Sequence, residues 1–379
     1  MKIVVHKYGG SSVKDVTSIQ RVAASIAAIH QEGTRVVVVV SAMGNTTNEL
    51  LQLAQKVTES PGRRELDMLV SVGERIAMTL LSMAINDLGV PAMSFTGSQS
   101  GIITNESHSN AQVIAVRPHR VRAALEDNKV AIVAGFQGVS RTKEVTTLGR
   151  GGSDTTAVAL AAALQAEWCE IHSDVPGVFS ADPRAVPAAQ QHSQLSLEEA
   201  LNMARHGAKV LHAEALAYAK QQGIEVVSSA AQGEAAGTRI QVAPLPCRVT
   251  AIVADTQLER FRTDSGHQLF VALEEAKVPI RSVIDEEIVV DLRNWHDRER
   301  FSLPSGSETL GILAEVSAVG IGIGSDLSLL QKASRALEAE NIKWHSRRST
   351  IDALHWWVTL EDSSPAQRVL HAVLLEPEV

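Results

Sequence analysis

The sequence predicts an α/β protein, with a mostly parallel sheet covered by helices on both faces, followed by two small α+β modules. Short β-branched runs alternate with helical patterns along residues 1–240, the order expected when crossover helices join parallel strands. The run RVVVVVS at residues 35–41 is continuously apolar, as in a strand buried on both faces. Beyond the linker QVAPLP, at residues 241–246, the segments become shorter and form a loose repeat of strand, helix, strand and strand.

The length of 379 residues corresponds to two or three domains, at about 150 residues each. We therefore place a first domain at residues 1–240 and two modules at residues 247–309 and 310–379. The hydrophobic content of 45% and the charged content of 21% are ordinary for a globular protein. Because the net charge is −8, we expect no binding to nucleic acid, and an anionic ligand would need a local basic site.

Cysteine content and hydropathy bear on the cellular location. Cys169 and Cys247 are the only cysteines, too few for a disulfide framework, and no metal-ligand spacing is visible in the sequence. The longest apolar runs, at residues 36–40 and 157–164, are much shorter than a membrane span. The start, MKIVVHKYGG, is interrupted by glycine too early for a signal peptide. We expect a cytoplasmic protein with no metal-binding residues and no membrane contact.

Each element is predicted from hydrophobic periodicity, alternating or continuous for strands and close to 3.6 residues for helices. In the first domain, strands are predicted at residues 2–7, 35–41, 91–96, 130–136, 169–173 and 224–228. Helices are predicted around the apolar face of Ile19, Val22, Ile26 and Ile29, and at residues 49–58, 63–88, 116–127, 155–165, 196–205 and 213–222, with a loop at residues 97–110. In the tail, strands are predicted at residues 249–254, 260–263, 287–292, 310–321 (one strand or a pair), 342–346 and 354–359, and helices at residues 267–276, 326–340 and 365–374.

A first glycine-rich turn, YGGSS at residues 8–12, separates the first strand from the first helix. Such a turn points backbone N–H groups at an anion, and glycine allows close approach because no Cβ intervenes. Lys7 stands at the carboxyl end of the strand, where ligands bind in open α/β sheets. A phosphate-binding role for Lys7 is favoured over the alternative, a solvated lysine at a strand end.

A second glycine-rich turn, GRGGSD at residues 149–154, opens an almost entirely apolar helix. Arg150 supplies a planar guanidinium suited to a carboxylate or a phosphate. Asp154 is placed favourably relative to the helix dipole and is able to orient neighbouring cations. Taken alone, this motif is equally consistent with a tight turn before a capped helix.

Other polar residues leave two interpretations open. Ser41 and Thr47 lie at the end of the RVVVVVS strand and just beyond it, as either substrate contacts or helix N-caps. Gly73 lies inside a predicted helix, where glycine costs about 1 kcal/mol, so close packing or an approaching ligand is expected there. The adjacent Glu74 and Arg75, taken alone, favour a surface ion pair.

Five motifs follow one another along the first domain. They are KYGGSSV at residues 7–13, VGER at residues 72–75, TLGRGGSDTTA at residues 147–157, SDVPGVFSADPR at residues 173–184 and GAKVLH at residues 207–212. In this order they resemble the motifs of the aspartate kinases. The tail, residues 247–379, is similar to a divergent pair of ACT regulatory modules, mainly through LAEVSAVGIG at residues 313–322.

The resemblance implies the amino-acid-kinase fold and transfer of the ATP γ-phosphate to the β-carboxylate of L-aspartate, the first step of aspartate-family amino-acid biosynthesis. It implies that Lys7, Asp154 and Lys209 are catalytic. The two lysines would flank the phosphoryl group while Asp154 orients them, so that preorganised charges stabilise the transition state without a covalent intermediate. Mg²⁺ is expected to be held mainly by the ATP phosphates and water.

The resemblance also implies the binding residues. For ATP they are Lys7, Gly9, Gly10, Ser11, Gly151, Gly152, Ser173, Asp174, Phe179, Arg184, Lys209 and Val210. For aspartate they are Ser41, Thr47, Glu74, Arg150 and Ser153. Glu74 would pair with the α-ammonium and Arg150 with a carboxylate. The expected partners are aspartate, ATP and an amino-acid effector at the ACT-like modules, in a homodimer or higher homo-oligomer.

The chain departs from the family pattern around the nucleotide loop and in the tail. His172-Ser173 replaces the more usual Tyr-Thr, Pro176 replaces an acidic residue, and Phe179 replaces Tyr. Nucleotide preference is therefore less fixed by the motifs than the reaction type. In the tail, residues 324–326 and 345–350 differ from the usual effector-binding modules. Two roles of the modules therefore stay open, which are feedback inhibition by an amino acid and a role mainly in dimerisation.

Two other functions remain open. One is a kinase of the same fold that acts on glutamate or an N-acylated amino acid, which Glu74 disfavours because it suggests a free ammonium group on the substrate. The other is a non-catalytic amino-acid sensor, which the retention of Lys7, Arg150, Asp154 and Lys209 disfavours.

Overall fold

The computed structural model describes residues 2–231, 236–244, 247–264, 266–276, 278–284, 286–295, 298 and 301–376. The chain divides into two compact units. The first unit comprises Met1–Val178, Gln191–Ala204 and Lys209–Pro244, and the second comprises Phe179–Gln190, Arg205–Ala208 and Leu245–Val379. Residues 245 and 246, the end of the predicted linker, lie outside the described residues.

The first unit contains strands and helices in alternation. Its strands are β1 Ile3–Tyr8, β2 Arg35–Val40, β3 Ala92–Phe95, β4 Ile102–Thr104, β5 Val113–Val116, β6 Val130–Ala134, β7 Gln137–Ser140, β8 Val145–Thr147, β9 Cys169–Ser173, β10 Gln194–Ser196, β11 Val226–Ala230 and β12 Thr238–Gln241. Its helices are α1 Val16–Gln31, α2 Thr46–Val57, α3 Arg63–Val70, α4 Val72–Asp87, α5 His119–Glu126, α6 Gly152–Leu164, α7 Leu197–Arg205 and α8 Ala213–Gln222.

The predicted parallel sheet is confirmed. Eight strands pair in the order β10-β12-β11-β9-β1-β2-β6-β3 among the described residues. β1 runs parallel to both β2 and β9, β6 runs parallel to both β2 and β3, and β11 runs parallel to β9. Only the β11–β12 pair of this sheet is antiparallel in the described part of the chain.

Helices cover the sheet on two faces. Alternate residues of β1 and β2, such as Val4 and Val38, pack with α1 and α4 in one buried cluster that includes Ile26 and Leu81. On the opposite face lies α6, whose residues are nearly all buried because apolar side chains surround the whole helix. Asp15 caps α1 by accepting a hydrogen bond from Ser18 N at 2.7 Å.

The structure differs from the sequence prediction in short elements. The predicted loop at residues 97–110 contains β4, which belongs to a second sheet of order β5-β4-β7-β8. Strands of three or four residues are too short to show a period, so this sheet was missed. The predicted helix at residues 63–88 is two helices, α3 and α4, that meet at Ser71.

The run Arg63–Asp87 is the one stretch of the described residues that is long and apolar enough to cross a membrane, by length and composition alone. Half of its most apolar window is buried inside the protein, and core helices of water-soluble proteins pass the same test.

The second unit contains one six-stranded antiparallel sheet, in the order β14-β15-β13-β16-β18-β17 within the described residues. Its strands are β13 Ala251–Thr263, β14 Ile280–Ile284, β15 Glu287–Asp291, β16 Ser307–Val319, β17 Ser346–Thr350 and β18 Ala353–Val358, and its helices are α9 Gly266–Glu275, α10 Leu327–Ala339 and α11 Ser363–Leu375. The expectation of α+β structure in the tail is confirmed.

Two hydrophobic cores lie along this sheet. One packs α10 and α11 against the end of β13 that contains Ile252, and the other packs α9 against the end that contains Phe261. The strands predicted at residues 249–254 and 260–263 are therefore joined in one strand, β13, which begins at Ala251. The segment predicted at residues 310–321 is one strand rather than a pair, and this strand, β16, ends at Val319. The module boundary placed at residues 309 and 310 falls inside β16, and the division into two modules stays a prediction.

Replacing a buried leucine of α4 tests the core of the first unit. Leu81 is fully buried between α1 and the sheet, whereas Leu53 of α2 is 52% exposed. We expect Leu81→Ala to lower the free energy of unfolding by about 2–5 kcal/mol, because it removes methyl groups and leaves a cavity. The control Leu53→Ala should change it by less than about 1 kcal/mol. Native-state hydrogen exchange of the amides of β1 and β2 measures both, and equal effects would contradict the packing described.

Candidate active site

The first unit brings many of the predicted site residues to one edge of its eight-stranded sheet. β1, β2, β6 and β9 run parallel, so their carboxyl ends lie at the same edge. These ends are followed by Gly9, Ser41, Gly135 and Asp174. Ser41 N donates to Tyr8 O at 3.1 Å and Gly135 N donates to Val40 O at 3.0 Å. Main-chain hydrogen bonds therefore hold three of these loops side by side.

An ion pair between Lys7 and Asp154 lies at this edge. Strand alternation turns the Lys7 side chain away from the face of Tyr8 and towards α6, whose first turn carries Asp154. Lys7 Nζ lies 2.7 Å from Asp154 Oδ1, and the two side chains are 13% and 6% exposed. The carboxylate thus fixes the ammonium in a largely desolvated position, where the ammonium is able to attract an incoming anion.

Close packing requires glycine at two positions near this ion pair. A Cβ on Gly10 would lie 2.8 Å from Ala42 O, so the first glycine turn packs directly against the loop after β2. Gly151 precedes α6 with a φ of 70°, and a Cβ there would meet His212 Cγ at 2.1 Å. The His212 ring therefore lies against the second glycine turn, which places the loop that carries Lys209 beside that turn.

Glu74 is a buried carboxylate with one oxygen free. It lies in the first turn of α4 and is 3% exposed. Its Oε1 accepts a hydrogen bond from Ala42 N at 3.1 Å, whereas Oε2 is buried without a hydrogen-bond partner among the described residues. Burial raises the pKa of Glu74 to about 7. A ligand with an ammonium group would satisfy the free oxygen and keep the carboxyl ionised.

Gly73 accounts for the position of Glu74. A Cβ on Gly73 would lie 2.7 Å from the Cβ of Ala42, so close packing explains a glycine inside α4. Arg75 extends elsewhere, and its Nε donates to Gln137 Oε1 at 3.4 Å. The prediction of a surface ion pair between Glu74 and Arg75 is therefore wrong, because Glu74 is buried against the loop after β2.

The other predicted aspartate contacts are partly exposed or lie near the ends of β2 and β6. A Cβ on Gly135 would lie 2.7 Å from Ser153 Oγ, which places Ser153 at the end of β6. Asn45 is the N-cap of α2, so the interpretation of Ser41 and Thr47 as helix N-caps is wrong. Arg150 is exposed and forms no ion pair within the described part of the chain.

The predicted nucleotide residues fall in both units. In the first unit, Ser173 ends β9 and its Oγ donates to the main-chain oxygen two residues later at 3.1 Å. Ser11, Asp174 and Lys209 are exposed, whereas Val210 is half-buried. Phe179 and Arg184 belong to the second unit, where Arg184 pairs with Asp182 at 2.7 Å. Their assignment to a nucleotide stays a prediction.

Asp67 in α3 supports the site and was not found from the sequence. It is 1% exposed, and it accepts hydrogen bonds from Thr147 Oγ1 at 2.6 Å and Ser109 N at 3.0 Å. His108 Nδ1 lies 2.7 Å from its other oxygen. Asp67 thereby anchors the strand before the second glycine turn. No local pattern marks it, since Thr147 and Ser109 are 80 and 42 positions away.

The profile of the amino acid kinase family matches residues 2–227, which is more than half of the chain. The parallel sheet and the glycine turns at its edge lie within the matched residues. The chain belongs to the amino acid kinase family.

Within the amino acid kinase family, the relatives that this chain resembles are aspartokinases. The aspartokinase of Mycobacterium tuberculosis (strain H37Rv) is 56% identical over 239 residues, which are 63% of this chain and 57% of the relative. The aspartokinase of Corynebacterium glutamicum is 47% identical over 302 residues, 77% of this chain and 70% of the relative. The chain thus spans little more than half the length of the first of these relatives. The resemblance inferred from the five motifs is confirmed.

Solved structures of E. coli aspartokinase III share the fold. Its complex with aspartate and ADP, in the R-state, has a TM-score of 0.83 and 24% sequence identity, covering 99% of this chain and 100% of that chain. Its complex with lysine and aspartate, in the T-state, has a TM-score of 0.77 and 25% identity with the same coverage.

The buried carboxyl of Glu74 should make stability depend on pH. Its pKa is raised from 4.5 to about 7 in the folded protein, so the folded state binds more protons than the unfolded state between these values. The contribution of Glu74 to stability is therefore largest below pH 4.5 and is lost as the pH rises through 7. We expect the stability gained by Glu74→Gln over the parent chain, in the ligand-free protein, to be greater at pH 8 than at pH 5 by roughly 1–3 kcal/mol.

Thermal unfolding of the full chain at pH 5 and pH 8 measures this effect. The matched control is Glu49→Gln, which removes an exposed carboxyl from the first turn of α2. If the two variants differ from the parent chain in the same way at both pH values, Glu74 is not buried as described.

Proposed function

We propose that this protein is an ATP-dependent aspartate kinase that forms 4-phospho-L-aspartate. The observation that carries this proposal is the buried Oε2 of Glu74, which has no hydrogen-bond partner among the described residues and lies in the same unit and at the same sheet edge as the Lys7–Asp154 ion pair. An anionic phosphate and an ammonium-bearing amino acid would thus find opposite charges at one edge. The two relatives described above are both aspartokinases, which supports the same substrate.

The reaction needs positioning and charge neutralisation. A β-carboxylate oxygen of aspartate attacks the γ-phosphorus of MgATP, the bond from that phosphorus to the bridging oxygen breaks, and ADP leaves with the electron pair. Lys7 would neutralise the γ-phosphate as charge develops, and Asp154 would hold its ammonium in place. Lys209, on the loop beside Gly151, would approach from the other side. The glycines keep side chains out of the space that the phosphates occupy.

The amino-acid substrate would bind on the β2 side of the site. Glu74 would accept a hydrogen bond from the α-ammonium through its free oxygen, and Arg150 would hold a carboxylate with its guanidinium. Ser41, Thr47 and Ser153 would supply additional hydrogen bonds. In E. coli aspartokinase III, the solved complexes contain aspartate with ADP and aspartate with lysine.

The nucleotide would extend from the glycine turns along the loop after β9. Ser173 and Asp174 begin this loop. Mg²⁺ would enter with ATP, coordinated by phosphate oxygens and water, and would supply charge neutralisation between the two anionic substrates.

The tail would regulate or assemble the enzyme. An ACT-like pair suggests an amino-acid effector, and one solved state of E. coli aspartokinase III is a complex with lysine. A homodimer or higher homo-oligomer is supported by an apolar stripe on α4, where Val72, Ile76, Leu80 and Met83 are all more than a third exposed. We place the enzyme in the cytoplasm, without nucleic-acid or membrane partners.

The acyl phosphate product provides a direct test. Incubation with MgATP, hydroxylamine and L-aspartate should yield ADP and aspartyl hydroxamate in equal amounts. L-glutamate should yield neither product, because its additional methylene group displaces the reacting carboxylate. N-acetyl-L-aspartate should also yield neither, because it lacks the ammonium group that Glu74 needs. Turnover with either of these instead would identify a kinase of other specificity, and no turnover with any amino acid would identify a sensor.

Replacing Lys7 tests the catalytic role of the ion pair. We expect Lys7→Ala to lower turnover at least about 100-fold, since it removes the cation from the transferring phosphoryl group. The control is Lys2→Ala, just before the same strand, where Lys2 pairs with Glu167 at 3.7 Å and is about half exposed. That variant should keep turnover within about twofold. Near-normal activity of a folded Lys7→Ala protein would refute the role.

The pH dependence of aspartate binding tests Glu74 separately. Because protonated Glu74 cannot pair with an ammonium group, the KM for aspartate should rise as the pH falls below about 7. Glu74→Gln should raise this KM by about 10–100-fold, the loss of one charged hydrogen bond, and should flatten its pH profile. A pH-dependent KM that survives in the Gln variant would assign the titration to another group.

A further inference from the structure

A second polar cluster of the first unit lies on neighbouring strands and takes no part in the proposed reaction. It consists of His6 on β1 with Glu170 and His172 on β9, and we call it the His–Glu–His cluster. β1 and β9 pair in parallel, with His6 opposite Glu170 and Tyr8 opposite His172. Strand alternation places these side chains on the face of the sheet opposite to that of Lys7.

The three side chains converge on a small volume. His6 Nδ1 lies 2.9 Å from His172 Nε2, and the nearest Glu170 oxygens lie 3.7 Å from His6 Nδ1 and 3.9 Å from His172 Nε2. Around a tetrahedral Zn²⁺, bonds of about 2.0–2.1 Å place ligand atoms about 3.3–3.4 Å apart. The observed spacings lie on both sides of this value, so displacements of about half an ångström would bring the three groups into coordination.

The burial of the cluster leaves one ring nitrogen unsatisfied. His6 is 3% exposed and His172 is 9% exposed. His6 Nε2 is buried and has no hydrogen-bond partner in the part of the chain that the structure describes, so it is vacant to carry the proton that Nδ1 gives up when Nδ1 coordinates a cation. The Glu170 side chain is 21% exposed, so a cation has a route from solvent along the carboxylate.

The protonation states suit a cation. Burial, followed by the proximity of His172, lowers the pKa of His6 to about 4, and burial lowers the pKa of His172 as well. Although burial opposes ionisation of Glu170, the two histidines hold its pKa below the usual value. Neutral imidazoles and an ionised carboxylate are the forms that coordinate metals.

A surrounding shell of groups orients these side chains. Ser229 Oγ donates to Glu170 Oε1 at 2.8 Å and lies 3.0 Å from His172 Nδ1. The same His172 Nδ1 lies 3.4 Å from Ala230 O, so Nδ1 carries the proton and the Nε2 lone pair faces the cluster. The Tyr8 ring stacks on His172 at 4.3 Å with an interplanar angle of 7°. Metal-binding histidines commonly have such support on the nitrogen that does not bind.

We propose that His6, Glu170 and His172 form a binding site for a borderline divalent cation of the Zn²⁺ class, with water as a further ligand. Without the cation, His6 Nδ1–H donates to His172 Nε2. When the cation binds, the two rings turn from each other towards it and the His6 proton moves from Nδ1 to Nε2. No net proton is released, and both freed lone pairs coordinate the metal.

A similar trio in the second unit is less suited to a cation. His206, Glu315 and His355 also lie close together, but Arg348 Nη2 is 2.8 Å from Glu315 Oε1 and Arg281 Nη2 is 3.7 Å from Oε2. Two guanidinium groups already neutralise this carboxylate and would repel a metal ion. Within the described residues, the only ion-pair partners of Glu170 are the two histidines of its own cluster.

Cobalt and zinc titrations of the full chain test the site. Chelator-treated protein with Cys247→Ser, which removes the exposed thiol, should bind one Co²⁺ per chain and develop the strong visible absorption of tetrahedral cobalt. Zn²⁺ should displace it. Ser229→Ala should weaken binding by about 10–100-fold, as expected for a supporting group, and His172→Ala should weaken it further. His355→Ala is the matched control and should bind as the parent does.

Each alternative result has a definite meaning. Absence of cobalt absorption and of calorimetric zinc binding at micromolar protein would overturn the proposal, as would unchanged binding in His172→Ala. Loss of binding only in His355→Ala would place the site in the second unit and also overturn it. If His172→Ala does not fold, Glu170→Gln replaces one ligand oxygen while retaining the shape, and it must weaken binding by at least about tenfold.

Discussion

The ion pair between Lys7 and Asp154 is the constraint on which the candidate site depends. Two charges that are mostly removed from water are stable only when each neutralises the other, and loss of one partner leaves an uncompensated charge that costs about 3–5 kcal/mol. The pair joins β1 to the first turn of α6, so the central strand and the most buried helix of the first unit are held in register. Gly10 and Gly151 allow the loop after β2 and the His212 ring to pack closely against the two glycine turns.

Glu74 complements this pair in a different way. Lys7 has a counter-charge in the ligand-free protein, whereas Glu74 has a buried oxygen without a partner among the described residues. The ligand-free protein therefore carries an unfavourable carboxyl, and an ammonium-bearing substrate would relieve it. Part of the stability of the first unit is given up at the position where the amino acid would be recognised, as is common at functional sites.

The sequence was informative where chemistry and local geometry coincide. Lys7 and Asp154 were found because glycine turns follow or precede them at element ends, and the parallel sheet followed from alternating strand and helix patterns. Asp67 was not found, because its partners come from loops that are distant in sequence. The His–Glu–His cluster was missed for the same reason, since His6 and His172 are separated by 166 positions and only the pairing of β1 with β9 joins them.

The length of β13 and β16 links the two halves of the tail. Each has 13 residues, and they pair with one another through two irregularities in register, near Asp255 and Arg260. Both hydrophobic cores of the second unit include residues of β13, one core at the end with Ile252 and the other at the end with Phe261. The two halves of the tail therefore depend on one continuous strand, and a break in β13 would deprive each half of main-chain partners that the other half helps to hold in place.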